Sequence, residues 1–279
     1  MIITKHILGF LLLIIMISCS KDDAPAPIPN PADAIYRIKQ TTYPLSGNSS
    51  TYEYNAQNKM TKRNNYDGSF IKWNYNSQGQ LVSQENGGNV DVSYNSMQNY
   101  VYNATGAKIE DIYTRGDGTK YKFVYTNNSN NLPITLKYFY LNITTNTWIE
   151  SASNNVVYTY NNNNQIIRLQ RESDYYLNAY DSRGNQNENR QYNKKPDGSF
   201  YLRYQSNSTY DDKKTPQTNP IAYGVNNAID AVSKTFLEDG SLSNQSSTTF
   251  TYEYNEAGYV TKQFYNGVLN VTYTLEKIN

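Results

Sequence analysis

Few side chains in this sequence can carry out covalent chemistry. The 279-residue chain has one His, His6, and one Cys, Cys19, placed on either side of the apolar run 7–17. Zinc sites and Ser-His-Asp or Cys-His arrangements need imidazole or thiolate groups converging from separate elements, and a disulfide needs two Cys. Beyond residue 19 the chain offers neither group. Hydrolysis by two carboxylates is the enzymatic route left. Glu53, Glu85, Glu110, Glu150, Glu172 and Glu253 fall singly on expected strands, however, and nothing in the sequence pairs them. Asp211-Asp212 lies on an expected loop without EF-hand or nonapeptide spacing. No catalytic residue, metal site or cofactor is therefore expected. Aromatic side chains are the abundant resource, with 29 Tyr, 8 Phe and 2 Trp. Most are expected to pack, with their hydroxyls reaching turn or solvent partners. A minority, Trp148 and Tyr223 among them, are candidates to stack on sugar rings, and Tyr223 falls in the long non-repetitive segment 216–230.

Charge and hydropathy narrow the partners. With 25 basic and 24 acidic groups the net charge is +1, which gives no field to hold a polyanion, so no nucleic-acid partner is expected. A mean hydropathy of -0.76 is low for a folded chain. Disordered chains are poor in aromatics, though, and this one is 14% aromatic.

The N-terminal segment is an address. Lys5 and His6 precede the apolar run 7–17, broken only by Gly9. That run is too short to cross a bilayer core of about 30 Å, which takes roughly 20 residues, so residues 1–18 are expected to be a cleaved export signal. Met16-Ile17-Ser18-Cys19 resembles the lipobox of bacterial lipoproteins, a resemblance that implies acylation of the Cys19 thiol and cleavage before it. Ser20-Lys21-Asp22-Asp23 is similar to the Lys-acid-acid export signal of Bacteroidota surface lipoproteins, which implies display on the outer face of the outer membrane. Residues 24–31 alternate Pro with small residues, a composition that favours a stiff polyproline spacer and makes 19–34 a tether. Loss of 1–18 takes Lys5 and His6 with it and leaves 24 basic against 24 acidic groups.

From residue 35 onward the chain repeats one unit. Tyr52-Glu53-Tyr54-Asn55-Ala56-Gln57-Asn58-Lys59-Met60 returns as Trp73-Asn74-Tyr75-Asn76 to Leu81, as Tyr158-Thr159-Tyr160-Asn161 to Ile166 and as Tyr252-Glu253-Tyr254-Asn255 to Val260. The copies from Tyr100 to Ile109 and from Phe123 to Leu132 read as carrying one extra turn residue, which makes Ile109 and Leu132 the aliphatic residues that return to the buried face. Tyr180 to Gly184 reads as a shortened copy. Aromatics two residues apart share one face of a strand, Asn or Asp opens a turn, and Gly or Asn three residues later supplies a left-handed conformation. Asp67-Gly68, Gly87-Gly88, Asp117-Gly118, Asp197-Gly198, Asp239-Gly240 and Asn266-Gly267 supply the opposite turns. No stretch carries a clear 3.6-residue period, although 225–237 leaves room for a helical turn. Dividing 35–279 by a strand plus a turn gives roughly 16–20 antiparallel strands.

The unit resembles the YD repeat of Rhs-type shell proteins. It resembles more closely a family of bacterial lipoprotein domains of unknown function with a porin-like fold, whose Tyr-Asp-x-Lys…Pro segment is similar to Tyr210-Asp211-Asp212-Lys213-Lys214-Thr215-Pro216. The resemblance implies fold and location only. The segment 184–193 is almost wholly polar and could not give a lipid-facing wall its share of apolar surface. The expected molecule is an all-β antiparallel meander, barrel-like or strongly curved, held at the outer membrane by its lipid. Its expected role is that of a non-catalytic binding or adhesion module, with polysaccharide as the partner to test. A structural envelope protein is the alternative, and a carboxylate-based glycan hydrolase stands third.

Overall fold

Residues 35–89, 91–215 and 226–278 are described by the structure, a computed structural model. Nineteen strands follow one another: β1 (Ile35–Tyr43), β2 (Asn48–Tyr54), β3 (Met60–Asn64), β4 (Phe70–Tyr75), β5 (Leu81–Gly87), β6 (Ser96–Tyr102), β7 (Lys108–Arg115), β8 (Lys120–Asn127), β9 (Pro133–Asn142), β10 (Thr147–Glu150), β11 (Val156–Tyr160), β12 (Ile166–Gln170), β13 (Asp174–Tyr180), β14 (Gln186–Lys194), β15 (Phe200–Lys214), β16 (Asn226–Phe236), β17 (Leu242–Tyr254), β18 (Val260–Tyr265) and β19 (Val268–Ile278). The segment with room for a helical turn is strand from Asn226 onward; the only helical pieces described are single 3-10 turns at Val92–Tyr94 and Ala152–Asn154.

The meander closes on itself. Strand β1 pairs antiparallel with both β2 and β19, and β9 takes β10 and then β11 along one edge, the two being a single stave broken by the 3-10 turn 152–154. The ring therefore has 18 staves. An even count is what allows the first and last strands of an up-and-down meander to meet antiparallel.

One local design makes each hairpin of the repeat. Asn55 Oδ1 accepts the N–H groups of Gln57 (3.1 Å) and Lys59 (2.9 Å), and the copies opened by Asn76, Asn103, Asn128, Asn161, Asp181 and Asn255 use the same oxygen on residues of their own turns. Three residues on, φ is positive at Asn58, Gly79, Gly106, Asn131, Asn164, Gly184 and Gly258. A bulge then shifts the ladder, as at Glu53/Tyr54 against Lys62 and Met60. These turns crowd one rim of the barrel, where β1 begins and β19 ends. The Asp-Gly turns occupy the other rim.

Burial separates the two faces of the wall. Among the described residues nothing covers this single layer from outside, so Trp73, Ile38, Leu136 and Val156, each 1% exposed, point into the lumen. Burying each large apolar side chain of this kind contributes roughly 1.5–3 kcal/mol. Two dry clusters form, Ile38, Tyr52, Met60 and Trp73 on β1–β4, and Phe123, Tyr125, Leu136, Val156, Tyr158 and Leu169 on β8–β12. Pairing register carries the faces around the ring. The outward positions hold ion pairs Arg37–Glu276 (3.0 Å), Lys262–Glu253 (2.7 Å), Lys137–Glu150 (3.3 Å) and Arg190–Glu188 (2.8 Å), together with Lys62, Lys72, Glu85 and Lys122. From β14 to β16 the inward residues change character: Gln186, Asn189 and Gln191 on β14, Ser206 and Ser208 on β15, and Ser233 on β16 make that sector of the lumen polar.

Candidate functional site

The second aromatic of the repeat has a defined task at six positions. Its hydroxyl donates to the backbone carbonyl at the bulged start of the neighbouring strand: Tyr54 to Ile38 (2.7 Å), Tyr75 to Met60 (2.8 Å), Tyr102 to Leu81 (2.8 Å), Tyr160 to Pro133 (2.8 Å), Tyr180 to Ile166 (3.0 Å) and Tyr210 to Gln186 (2.7 Å). A bulge takes a carbonyl out of the ladder, and the phenol restores its partner. Burial pushes the Tyr54 and Tyr75 phenols up to about 12, so they are neutral donors at physiological pH.

Two copies that read as longer have ordinary turns in the structure. Asn103 to Gly106 is a regular turn, and the aliphatic slot after it is filled by Lys108 rather than Ile109. In the next copy Asn128 opens the turn and Asn127 takes the second aromatic's place, its amide donating to the Lys108 carbonyl (2.9 Å) as a tyrosine does elsewhere. Lys108, 5% exposed, points inward to Asp111 Oδ2 (2.8 Å) and the Tyr125 hydroxyl (2.9 Å). Tyr125 donates to the same carboxylate oxygen (2.8 Å) and Gln98 to the other (3.1 Å). Gln98, Lys108, Asp111 and Tyr125 thus bond one another and brace β6, β7 and β8 from inside.

The irregular part of the wall lies at β16 and β17. Strand β17 pairs with β16 over 242–249 and with β18 over 250–254. Below the Asp230–Thr249 pair the strands β16 and β17 part, and side chains bridge the seam. Tyr252 donates to the Ala228 carbonyl (2.6 Å), and Tyr254 donates to the Asp211 carboxylate. A cavity of about 460 Å³ opens behind this seam, within the range of small-molecule sites. Its walls combine Gln186, Asn189, Ser206, Ser208 and Gln263 with the rings of Phe250, Tyr252 and Tyr273, and among the described residues no charged side chain lines it. Burial raises the phenols of Tyr210, Tyr252 and Tyr273, which keeps them protonated donors. Such a surface can hydrogen-bond a neutral polyhydroxylated molecule and stack against its apolar faces.

The carboxylates weighed in the sequence have other work. Asp211 Oδ1 accepts the N–H groups of Lys213 and Asn227 (both 3.0 Å), and Asn227 Nδ2 reaches Oδ2 (3.1 Å). Arg183 donates to the Asp211 carbonyl; Asp211 and Asp212 lie not on a loop but on the irregular end of β15, which Asp211 ties to β16. Glu53, Glu150 and Glu253 face outward against Asn64, Lys137 and Lys262. Among the described residues no three His, Cys, Asp or Glu come together. Trp148 stands on the outer wall of β10 with the Lys122 ammonium 4.9 Å from its ring, and is not part of the cavity. Cys19, Ser20, Lys21, Asp22, Asp23 and Tyr223 lie outside the described residues. The seam is not legible in the sequence, where the polar run of β14 speaks only against a lipid-facing wall.

No family model matches the chain, and no curated protein does. In structure it is similar to a porin-like protein from Bacteroides vulgatus, with 10% identity and a TM-score of 0.42 over 86% of this chain and 98% of the other. A porin-like protein from Bacteroides uniformis gives 13% identity and a TM-score of 0.40 over the same shares. A Tc holotoxin pore of Photorhabdus luminescens gives 11% identity and a TM-score of 0.33; the alignment covers 77% of this chain and 12% of that one.

Proposed function

We propose that the protein is a lipid-anchored recognition module of the outer membrane surface that binds a neutral glycan in the cavity behind the β16–β17 seam. The observation that carries this reading is a cavity whose described lining is amides, hydroxyls and aromatic rings without a charged group, inside a barrel whose outer wall carries ion pairs. A bilayer-spanning barrel needs an apolar band outside, and each Lys or Arg at its midplane costs about 2–4 kcal/mol. Outward ion pairs on staves around the ring favour a wall in water, with Cys19 as the attachment. Calorimetry with a panel of neutral polysaccharides tests the reading. Binding should be weak, nearly independent of salt, and lost in Ser206→Phe, which fills the cavity. Release of reducing ends would reveal a hydrolase instead. No heat with any glycan, together with an envelope defect on deletion, would favour a structural role.

A further inference from the structure

The step where β17 changes partner leaves a second feature. Strand β17 has 13 residues and β18 has 6. At the Asp-Gly rim, residues 242–248 pair with β16 on one side, and among the described residues no strand meets their other side. Leu242 to Ser247 are exposed on both faces. The direction of the peptide groups follows from Thr249, whose N–H donates to Asn266 Oδ1 (2.9 Å) and whose carbonyl accepts from Asn266 N (2.8 Å), both toward β18. In a regular antiparallel strand alternate residues point the same way, so Ser247 and Gln245 present N–H and C=O groups to open solvent. Register runs unbroken from Asn244 to Thr249, so no bulge blunts this stretch. Natural edges are guarded by Lys, Pro, bulges or inward charges. Residues 243–248, Ser-Asn-Gln-Ser-Ser-Thr, contain no Pro and no charge.

We propose that this edge is the interface of a homodimer, in which β17 of one copy pairs antiparallel with β17 of a second copy about Ser246. The edge is self-complementary: a two-fold axis at Ser246 sets Gln245 of one copy opposite Ser247 of its partner in both directions, using the two residues whose peptide groups point outward. A copy is a better occupant than a charged peptide because the edge offers no charge to select one, and the balanced chain does not repel itself. β17 runs from the far rim toward the rim where β1 begins. Antiparallel pairing therefore points the two β1 rims apart, and on the anchoring proposed above it joins barrels on facing surfaces.

The test uses the full chain with Cys19→Ala. Sedimentation over a concentration series should show a dimer that Gln245→Pro converts to monomer with an unchanged melting temperature, because that N–H serves no bond to β16. Ser246→Cys in the same background should form a disulfide-linked dimer under mild oxidation, its Cα separation across the axis suiting a bridge. A wild type that stays monomeric throughout, or a dimer that survives Gln245→Pro without the Ser246→Cys cross-link, overturns the proposal. Neither readout involves a glycan, so the dimer and the cavity stand or fall separately.

Discussion

A phenol and a carbonyl set the smallest scale at which this barrel can be understood. The repeat demands Tyr rather than Phe at its second aromatic because the bulge beside it strands a backbone oxygen. Tyr75→Phe should therefore cost about 1–3 kcal/mol, seen as a lower urea midpoint at constant slope, whereas Tyr66→Phe, at a side chain 65% exposed, should change little. The same phenols give the molecule an alkaline limit. Burial raises Tyr54 and Tyr75 from about 10 when unfolded to about 12 when folded. A raised folded value means the stabilisation is complete below pH 10 and is lost as pH climbs through 12. Circular dichroism should hold to about pH 10 and collapse by about 12, with phenolate absorbance rising alongside; phenolate formation completed before any loss of β signal would contradict this. Lys108 makes the converse point about buried charge. Lys108→Met leaves the Asp111 carboxylate without its cation, at an expected cost of about 3–5 kcal/mol. Lys108→Met with Asp111→Asn should cost less than the two singly combined, and a double-mutant cycle measures the difference.

At the level of the hairpin, much of the fold is legible in the sequence. Asn or Asp followed three residues later by Gly or Asn marks turns whose positive φ values the structure contains, and the alternation of Ile71, Trp73 and Tyr75 against Lys72 and Asn74 sets which face is lumen. Strand number falls inside the 16–20 expected. Closure is not legible because it pairs β1 with β19 from opposite ends of the chain, and the seam is not because it depends on where β17 passes from β16 to β18. The bulges escape for a different reason: a one-residue slip belongs to the ladder, not to any residue type. That is also why Ile109 looked like the inward residue where Lys108 is. Glycines divide along the same line. Asn58 already adopts φ 59°, so Asn58→Gly should shift stability by only a few tenths of a kcal/mol. A Cβ on Gly116 would stand 1.8 Å from the Val92 carbonyl oxygen, so Gly116→Ala should lower the melting temperature by many degrees, as calorimetry would show.

For the whole molecule, the contrast that matters is between a closed antiparallel ring and a wall with its charges outside. Residues 35–279 should therefore stay soluble without detergent and give a β-dominated spectrum; aggregation relieved only by detergent would place the wall in lipid. Closure has a mechanical side as well. Ile35 lies directly opposite Ile278, and β1 is held to β19 from Ile35 through Thr42. A pull that separates Ile35 from Ile278 opens those bonds one after another, like a zip. A pull on Ile35 against the far rim, at Gly240 for example, runs along the strand and loads the whole ladder in shear. Optical-tweezer traces should thus show a markedly higher rupture force in the second geometry, the direction in which a tether would strain if the distal rim were gripped.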